Sequence, residues 1–327
     1  MAARWATAVN SANWNCPCQQ TSISGERSII SVANAKRNLV RCSDGFLLSN
    51  HGILVIFRGY IDESYSERVF TLSCLMSDPP NWWKMESSWK KRLRAKNTFL
   101  KFKGRTQLSR YHAADCSSLV NEFDGWSKEE QVEFTKQLLK VVEHRFLNVI
   151  SYSLPLDTFV AVFPEHKGDL CACYALLLKF MMLEFVDQIE SARKKLGQVK
   201  PVKVVLFHDR CNCDRKLLEA FNSLMNDDGF RGKHIFSTIA PMSWADCIPL
   251  QLADLLAYEN FKETERHSSG RKRRKTLELL LAGGLGGRSK RMSEANLREL
   301  RRLIEKRTAN ETTNDSENQS RKSASVS

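Results

Sequence analysis

The chain has no apolar run that approaches the roughly 18–20 residues needed to cross a bilayer. The longest candidate, YALLLKFMMLEFV from Tyr174, is interrupted by Lys179 and Glu184, and it is expected to be a buried helix. The first residues, MAARWATAVNSANW, hold one early Arg but no apolar stretch suited to a signal peptide. There is no convincing internal repeat and no regular cysteine framework. Ten cysteines are present, six of them in three Cys-x-Cys pairs: Cys16 and Cys18, Cys171 and Cys173, Cys211 and Cys213. Structural zinc favours ligand pairs spaced by two to four residues, and Cys171 and Cys173 open an apolar helix. The pairs therefore read as buried or incidental thiols in a reducing compartment. These absences exclude a membrane-spanning protein and a disulfide scaffold, and they predict a cytoplasmic protein with no membrane partner.

What is present suffices for one full core with extensions: 327 residues, of which 42% are hydrophobic. Charge is uneven. Of the net +13, the segment from Glu265 onward carries +8, from 16 Lys and Arg against 8 Asp and Glu. An excess of this kind favours a polyanionic partner such as nucleic acid, because neutralised phosphates release counterions. A solvated, solubilising tail is the plain alternative.

The periodicities divide the chain. Residues 1–50 hold neither a period of 2 nor one of 3.6 and are expected to be an irregular extension. Strands are predicted at Gly52–Ile61 and Val69–Met76, paired as a hairpin, followed by a helix from Trp82 to Lys96. Ser127 with Glu130 three residues later marks a helix start. Further strands are predicted at Leu147–Ser153, Val202–Phe207 and near His234–Thr238. They alternate with helices at 169–196 and 214–225, and a last helix contains Leu250–Phe261. The order predicts an α/β domain over 51–264, a mixed sheet flanked by helices. Residues 265–308 are expected to be a basic, partly helical appendage, with Leu297, Leu300 and Ile304 lining one short helix, and 309–327 a disordered tail.

Two strings carry the chemistry. In YIDES an apolar run from Ile53 ends on Asp62 and Glu63, as when a buried strand delivers an acid to a sheet edge. In PLQLADLLAYE, Leu250, Leu252, Leu255 and Leu256 have helical spacing, with Gln251, Asp254 and Tyr258 on a neighbouring face. A bare Asp254 on so apolar a helix needs a metal or a basic partner. With VVLFHDR at 204–210 and YHAADCSS at 111–118 running on to NEFDGWS, these strings resemble, in order over about residues 53–262, the family called domain of unknown function 3800. Its members look like ribonuclease H-type folds. Tyr65 stands where a Gly commonly follows the first motif.

That resemblance implies a ribonuclease H-like sheet and a site built from four places in the chain around Mg²⁺ or Mn²⁺, which take hard oxygen ligands. Asp62, Asp254 and Asp209 are the expected metal ligands. Asp115 is a further catalytic candidate, and Glu63, His112, Glu122, His208 and Gln251 are in support. Glu63 is placed on the opposite side of the strand from Asp62, and Gln251 is expected to orient Asp254 or to contact phosphate. The plain alternatives are turn or cap residues for the acids and hydrogen-bonded structural roles for the histidines. Lys90, Lys91, Arg92 and Arg94, together with Arg271, Lys272, Arg273, Arg274 and Lys275, are expected to bind nucleic acid, cations tracking phosphate. Trp83 is expected in the core. The function so implied is a metal-dependent nuclease or related phosphodiester-processing hydrolase. The competing reading is a non-catalytic nucleic-acid-binding or interaction module of a mobile-element or phage-defence system.

Overall fold

The structure, a computed structural model, describes residues 47–49, 52–142, 148–196, 201–243, 245, 247–267, 274, 276–278 and 287–305. Most of the expected 1–50 extension, the tail 309–327, and Arg271, Lys272, Arg273 and Lys275 lie outside the described residues.

The strands are β1 (Leu47–Ser49), β2 (Gly52–Tyr65), β3 (Val69–Ser77), β4 (Asn148–Pro155), β5 (Val202–Asp209), β6 (Phe236–Met242) and β7 (Gly287–Arg291). They form one mixed sheet in the order β6-β5-β2-β3-β4-β7, with β1 paired to the start of β2. The β2–β3 and β3–β4 pairs are antiparallel, while β2–β5, β5–β6 and β4–β7 are parallel. The central strand β2 thus has the late strand β5 on one side and its hairpin partner β3 on the other. At Gly59 a Cβ would sit 2.7 Å from Leu206 Cδ2, so β2 can carry no side chain there without repacking β5.

Helices cover both faces. On one lie α1 (Pro79–Phe102), α2 (Ala113–Ser118), α3 (Lys128–Val142) and α7 (Ile248–His267); on the other lie α4 (Leu156–Val162), α5 (Leu170–Leu196), α6 (Asp214–Met225) and the helix 294–305, here α8. Each has a local cause. Asp78 caps α1 by accepting the Asn81 N–H at 2.8 Å, with Pro79 and Pro80 preset for the first turn. Ser127 and Glu130 exchange side-chain bonds with each other's N–H at the start of α3, the expected capping box. The apolar α5 buries Leu177, Leu178, Met182 and Phe185. Lys179, which interrupts its run, is buried with them, and burial holds its ammonium down to about 8.

A hydroxyl seam ties α7 to the sheet. Thr71 meets Ser153 at 2.9 Å and Ser73 meets Ser151 at 2.7 Å, all buried. From above, Asn260 Nδ2 donates to Ser151 Oγ at 3.2 Å, and Thr264 Oγ1 meets Ser153 Oγ at 3.0 Å. These bonds fix both the rotation and the slide of α7 over β3 and β4.

Two boundaries differ from expectation. Leu47–Ser49, inside the supposed irregular extension, pairs antiparallel with Gly52–Leu54; three residues are too few to show a period. The supposed appendage is integral to the fold. Its GRSKR segment is the sheet's edge strand β7, and Leu297 and Leu300 of α8 are fully buried with Ile304 packed beside them. An edge strand held by backbone pairing and lined with Arg and Lys carries no apolar alternation, and its charges protect the open edge.

Candidate active site

Asp62 and Asp209 sit at the C-terminal ends of two adjacent parallel strands. Ile61 pairs with His208 across β2 and β5, so the next residues, Asp62 and Asp209, emerge side by side on the opposite face. That face is the one α7 crosses, as the stacked pair Tyr60 and Phe207 beneath α1 and α7 shows. Asp254 of α7 is brought to the same place: its charge, with those of Glu63 and Asp209, acts directly on Asp62. Strand ends of this kind in open α/β sheets form the crevice where ligands bind.

The segment before α2 is clamped over the acids by α7. Gln251 Oε1 accepts both the Trp89 indole N–H and the Tyr111 N–H, each at 3.1 Å. Asp254 Oδ2 accepts the Ala113 N–H at 2.7 Å. Gln251 is buried, and its Oε1 is taken up in orienting this segment. The clamp sets His112 against Asp115, Nδ1 to Oδ2 at 3.0 Å. Glu122 supports the approach by accepting the Ser109 N–H at 3.0 Å. Arg110, which sequence reasoning missed, stands within the field of Asp115, Glu122, Asp254 and Asp209. Its signal was its place one residue ahead of the YHAADCSS string.

The electrostatics are those of acids without enough cations. Burial first, then Asp254, Glu63 and Asp209, raises Asp62 well above the usual carboxylate range. Burial raises Asp254 to about 6, against the pull of His112, the Ala113 N–H and Arg110. Burial and then Asp209 raise Glu63 to about 7. These carboxyls therefore hold their protons to higher pH than free acids do, and a divalent cation would compete with those protons. The donors are all oxygen, which fits Mg²⁺ or Mn²⁺. They do not form a tight single-ion cage: among the described residues, no three of these carboxylates bring one oxygen each within 4.8 Å of one another. Paired ions about 4 Å apart use a wider spread of ligands.

Glu63 and His208 point to the other face, as expected for Glu63. The His208 ring, buried at 2% exposure, has Nδ1 2.8 Å from the Asp209 carbonyl oxygen. It therefore stands behind Asp209, outside the acidic crevice.

Other expectations are corrected. Trp83 is 69% exposed; Trp82 and Trp89, one position away and seven apart, take the buried face of α1 with Met85, Leu93 and Leu100. Lys90, Lys91, Arg92 and Arg94 are exposed as expected. Arg274 is engaged within the protein: Nε and Nη2 bond the buried Glu259 carboxylate at 2.7 and 2.9 Å, so its charge is already met. Cys171 and Cys213 form a disulfide with Cα atoms 5.2 Å apart. The bond runs between two Cys-x-Cys pairs, 42 residues apart, which inspection of spacing inside each pair does not reveal, and it sits at odds with a reducing compartment. Among the described residues, no helix is long and apolar enough to cross a membrane.

No protein-family model matches the chain, and no curated protein matches it.

Proposed function

We propose that this chain is a divalent-metal-dependent nuclease, or a related phosphodiester-processing enzyme, with a ribonuclease H-like fold. The observation that carries the reading is the convergence of Asp62, Asp209 and Asp254 on one face, at the ends of two neighbouring parallel strands, where burial raises the proton affinity of Asp62 and Asp254 and the charges of Asp254 and Asp209 add to it at Asp62. The acids come from a first strand, a later strand and a closing helix, with His112 and Asp115 from the start of α2. This is the source pattern that the resemblance to the domain of unknown function 3800 family implies.

In this reading Asp62, Asp254 and Asp209 hold Mg²⁺ or Mn²⁺. When bound, such ions polarise a phosphoryl oxygen and lower the pKa of attacking water. Arg110 lies where it can meet a non-bridging phosphate oxygen and leave the acids to the cations. His112, held by Asp115 and partly open to solvent, is positioned to take or return a proton at its ring nitrogen. Gln251 and Asp254 hold that segment in place through their bonds to the Tyr111 and Ala113 N–H groups.

The test is cleavage of a panel of RNA and DNA substrates with Mg²⁺ or Mn²⁺, compared with Asp62→Asn and Asp254→Asn. Each variant is expected to lose at least about a hundredfold in rate, the scale of one preorganised electrostatic contact. Equal activity in the wild type and both variants overturns the assignment.

A second reading, a nucleic-acid-binding module without catalysis, is favoured by one observation. The exposed side of α1 carries Trp83, Lys90, Arg94 and Lys101 in a single row at intervals of seven, four and seven residues. Reversing Lys90, Arg94 and Lys101 to Glu together is expected to lower the salt dependence of binding to single strands, log affinity against log salt, by about 2. An unchanged slope removes this row from the interface.

A further inference from the structure

The loop leaving β5 carries a second group of ligand-type side chains, on the sheet face away from Asp62. A ring nitrogen of His208, Sγ of Cys211 and a carboxylate oxygen of Asp214 all lie within 4.8 Å of one another. They follow at intervals of three along the end of β5, the turn and the first residue of α6. Ligands separated by two intervening residues are how a turn presents donors to one ion.

We propose that His208, Cys211 and Asp214, completed by Glu63, form a binding site for a transition metal of the zinc class. Imidazole, thiolate and carboxylate together suit a borderline-soft cation and not Mg²⁺, whose ligands are oxygens. Nδ1 of His208 faces the group, 3.7 Å from Asp214 Oδ1. Asp214 Oδ1 accepts the Cys211 N–H at 2.9 Å, which ties two of the ligands together before any ion enters. A turn cap explains that bond alone; it does not explain a buried imidazole and a thiol gathered at the same point.

Glu63 supplies the independent observation. It lies two residues beyond Ile61, the register partner of His208, and so on the same face. Its charge acts on Cys211. Its Oε2 is shut off from solvent and has only the buried Tyr174 hydroxyl as a polar neighbour, outside strict hydrogen-bond geometry. A buried carboxylate oxygen met by no more than one poorly aligned hydroxyl is costly, and it keeps acceptor capacity that an ion can take up. The Cys171–Cys213 disulfide anchors the same loop to the start of α5, limiting how far it can open.

Closing the group around an ion asks little. Ligand atoms at the corners of a tetrahedral zinc site are roughly 3.5 Å apart, from bond lengths of about 2.0–2.3 Å. No pair of the three donors must draw in by more than about 1.3 Å, and His208 Nδ1 and Asp214 Oδ1 are already 3.7 Å apart. Loading replaces the thiol proton and the Nδ1 proton that the Asp209 carbonyl otherwise holds. A metal there would bind the loop directly behind Asp209, and this proposal stands apart from the reading of the carboxylate site.

The experiment uses the full chain, purified without chelator or thiol reductant so that the disulfide persists. Zn²⁺ binding is measured by calorimetry and by metal content after dialysis, and Co²⁺ loading by absorbance. One Zn²⁺ per chain is expected, retained in excess Mg²⁺, with a thiolate-to-cobalt charge-transfer band in the Co²⁺ form. Cys211→Ser is expected to abolish the band, and Asp214→Asn and Glu63→Gln to weaken Zn²⁺ about 10–100-fold. Circular dichroism checks that each variant is folded, and if Cys211→Ser is not, Asp214→Asn and the wild-type band decide. Absence of the band, loss of Zn²⁺ to Mg²⁺, or wild-type affinity in folded Cys211→Ser overturns the proposal.

Discussion

Replacing Asp254 by Asn should make the metal-free protein more stable at neutral pH, an unusual outcome for a buried polar residue. Asp254 is raised from 3.8 to about 6 in the fold, which at pH 8 corresponds to about 3 kcal/mol of destabilisation at 1.36 kcal/mol per unit. Asn removes that term. It keeps an oxygen for the Ala113 N–H, but a neutral acceptor in place of a charged one gives back about 1 kcal/mol. The net gain is about 2 kcal/mol, or ~5 °C in Tm for a domain of this size.

The sign follows from linkage. A carboxyl whose folded pKa lies above its unfolded value contributes stability that is complete below 3.8 and lost as pH rises through about 6. The advantage of Asn is therefore largest above pH 6 and closes near pH 4. Thermal melts in a chelator across that range read it directly. Added Mg²⁺ should then raise the melting temperature of the wild type at pH 8 and leave that of the variant unchanged. A variant less stable than wild type at pH 8 in chelator, or one that gains equally from Mg²⁺, refutes the account of Asp254 as an acid awaiting a cation.

Two further outcomes test the scaffold around the site. Gln251→Leu, close in volume, strips the acceptor from the Trp89 and Tyr111 N–H groups; a loss of about 2–5 kcal/mol in urea unfolding is expected, with faster hydrogen exchange at Tyr111. Arg274→Ala leaves Glu259 buried without its guanidinium and should cost about 3–5 kcal/mol, while removing both charges together restores most of it. A single-variant loss below ~1 kcal/mol would mean that the pair is solvated.

Much of the fold was legible wherever burial writes itself into residue type. The run from Val55 to Ile61 and the alternation of Val202, Val204 and Leu206 mark the two central strands, and Leu250, Leu252, Leu255 and Leu256 mark α7, because each must exclude water on the sides that face the core. Asp62 and Asp254 stood out as charges interrupting those patterns. What was illegible depends on pairing between distant segments. The register that sets Asp209 beside Asp62 is a relation between strands, and GRSKR is a strand only because β4 offers it an edge. Arg110 is set apart only by the acids that α7 and β5 bring near it. Trp83 and Trp82 differ by a single step around a helix, a distinction that composition cannot make.

The place of α7 also sets when the site can exist. Asp254 follows Asp62 by 192 residues, and the helix that carries it docks on a strand made near the beginning of the chain. At translation rates of about 5–20 residues per second, roughly 10–40 s separate the synthesis of the two acids. The β2–β3 hairpin is local and can form early, but the crevice cannot close until α7 has emerged from the ribosome. Until then the nascent chain carries Asp62 without Asp254, and the acidic crevice is assembled only after α7 has been made.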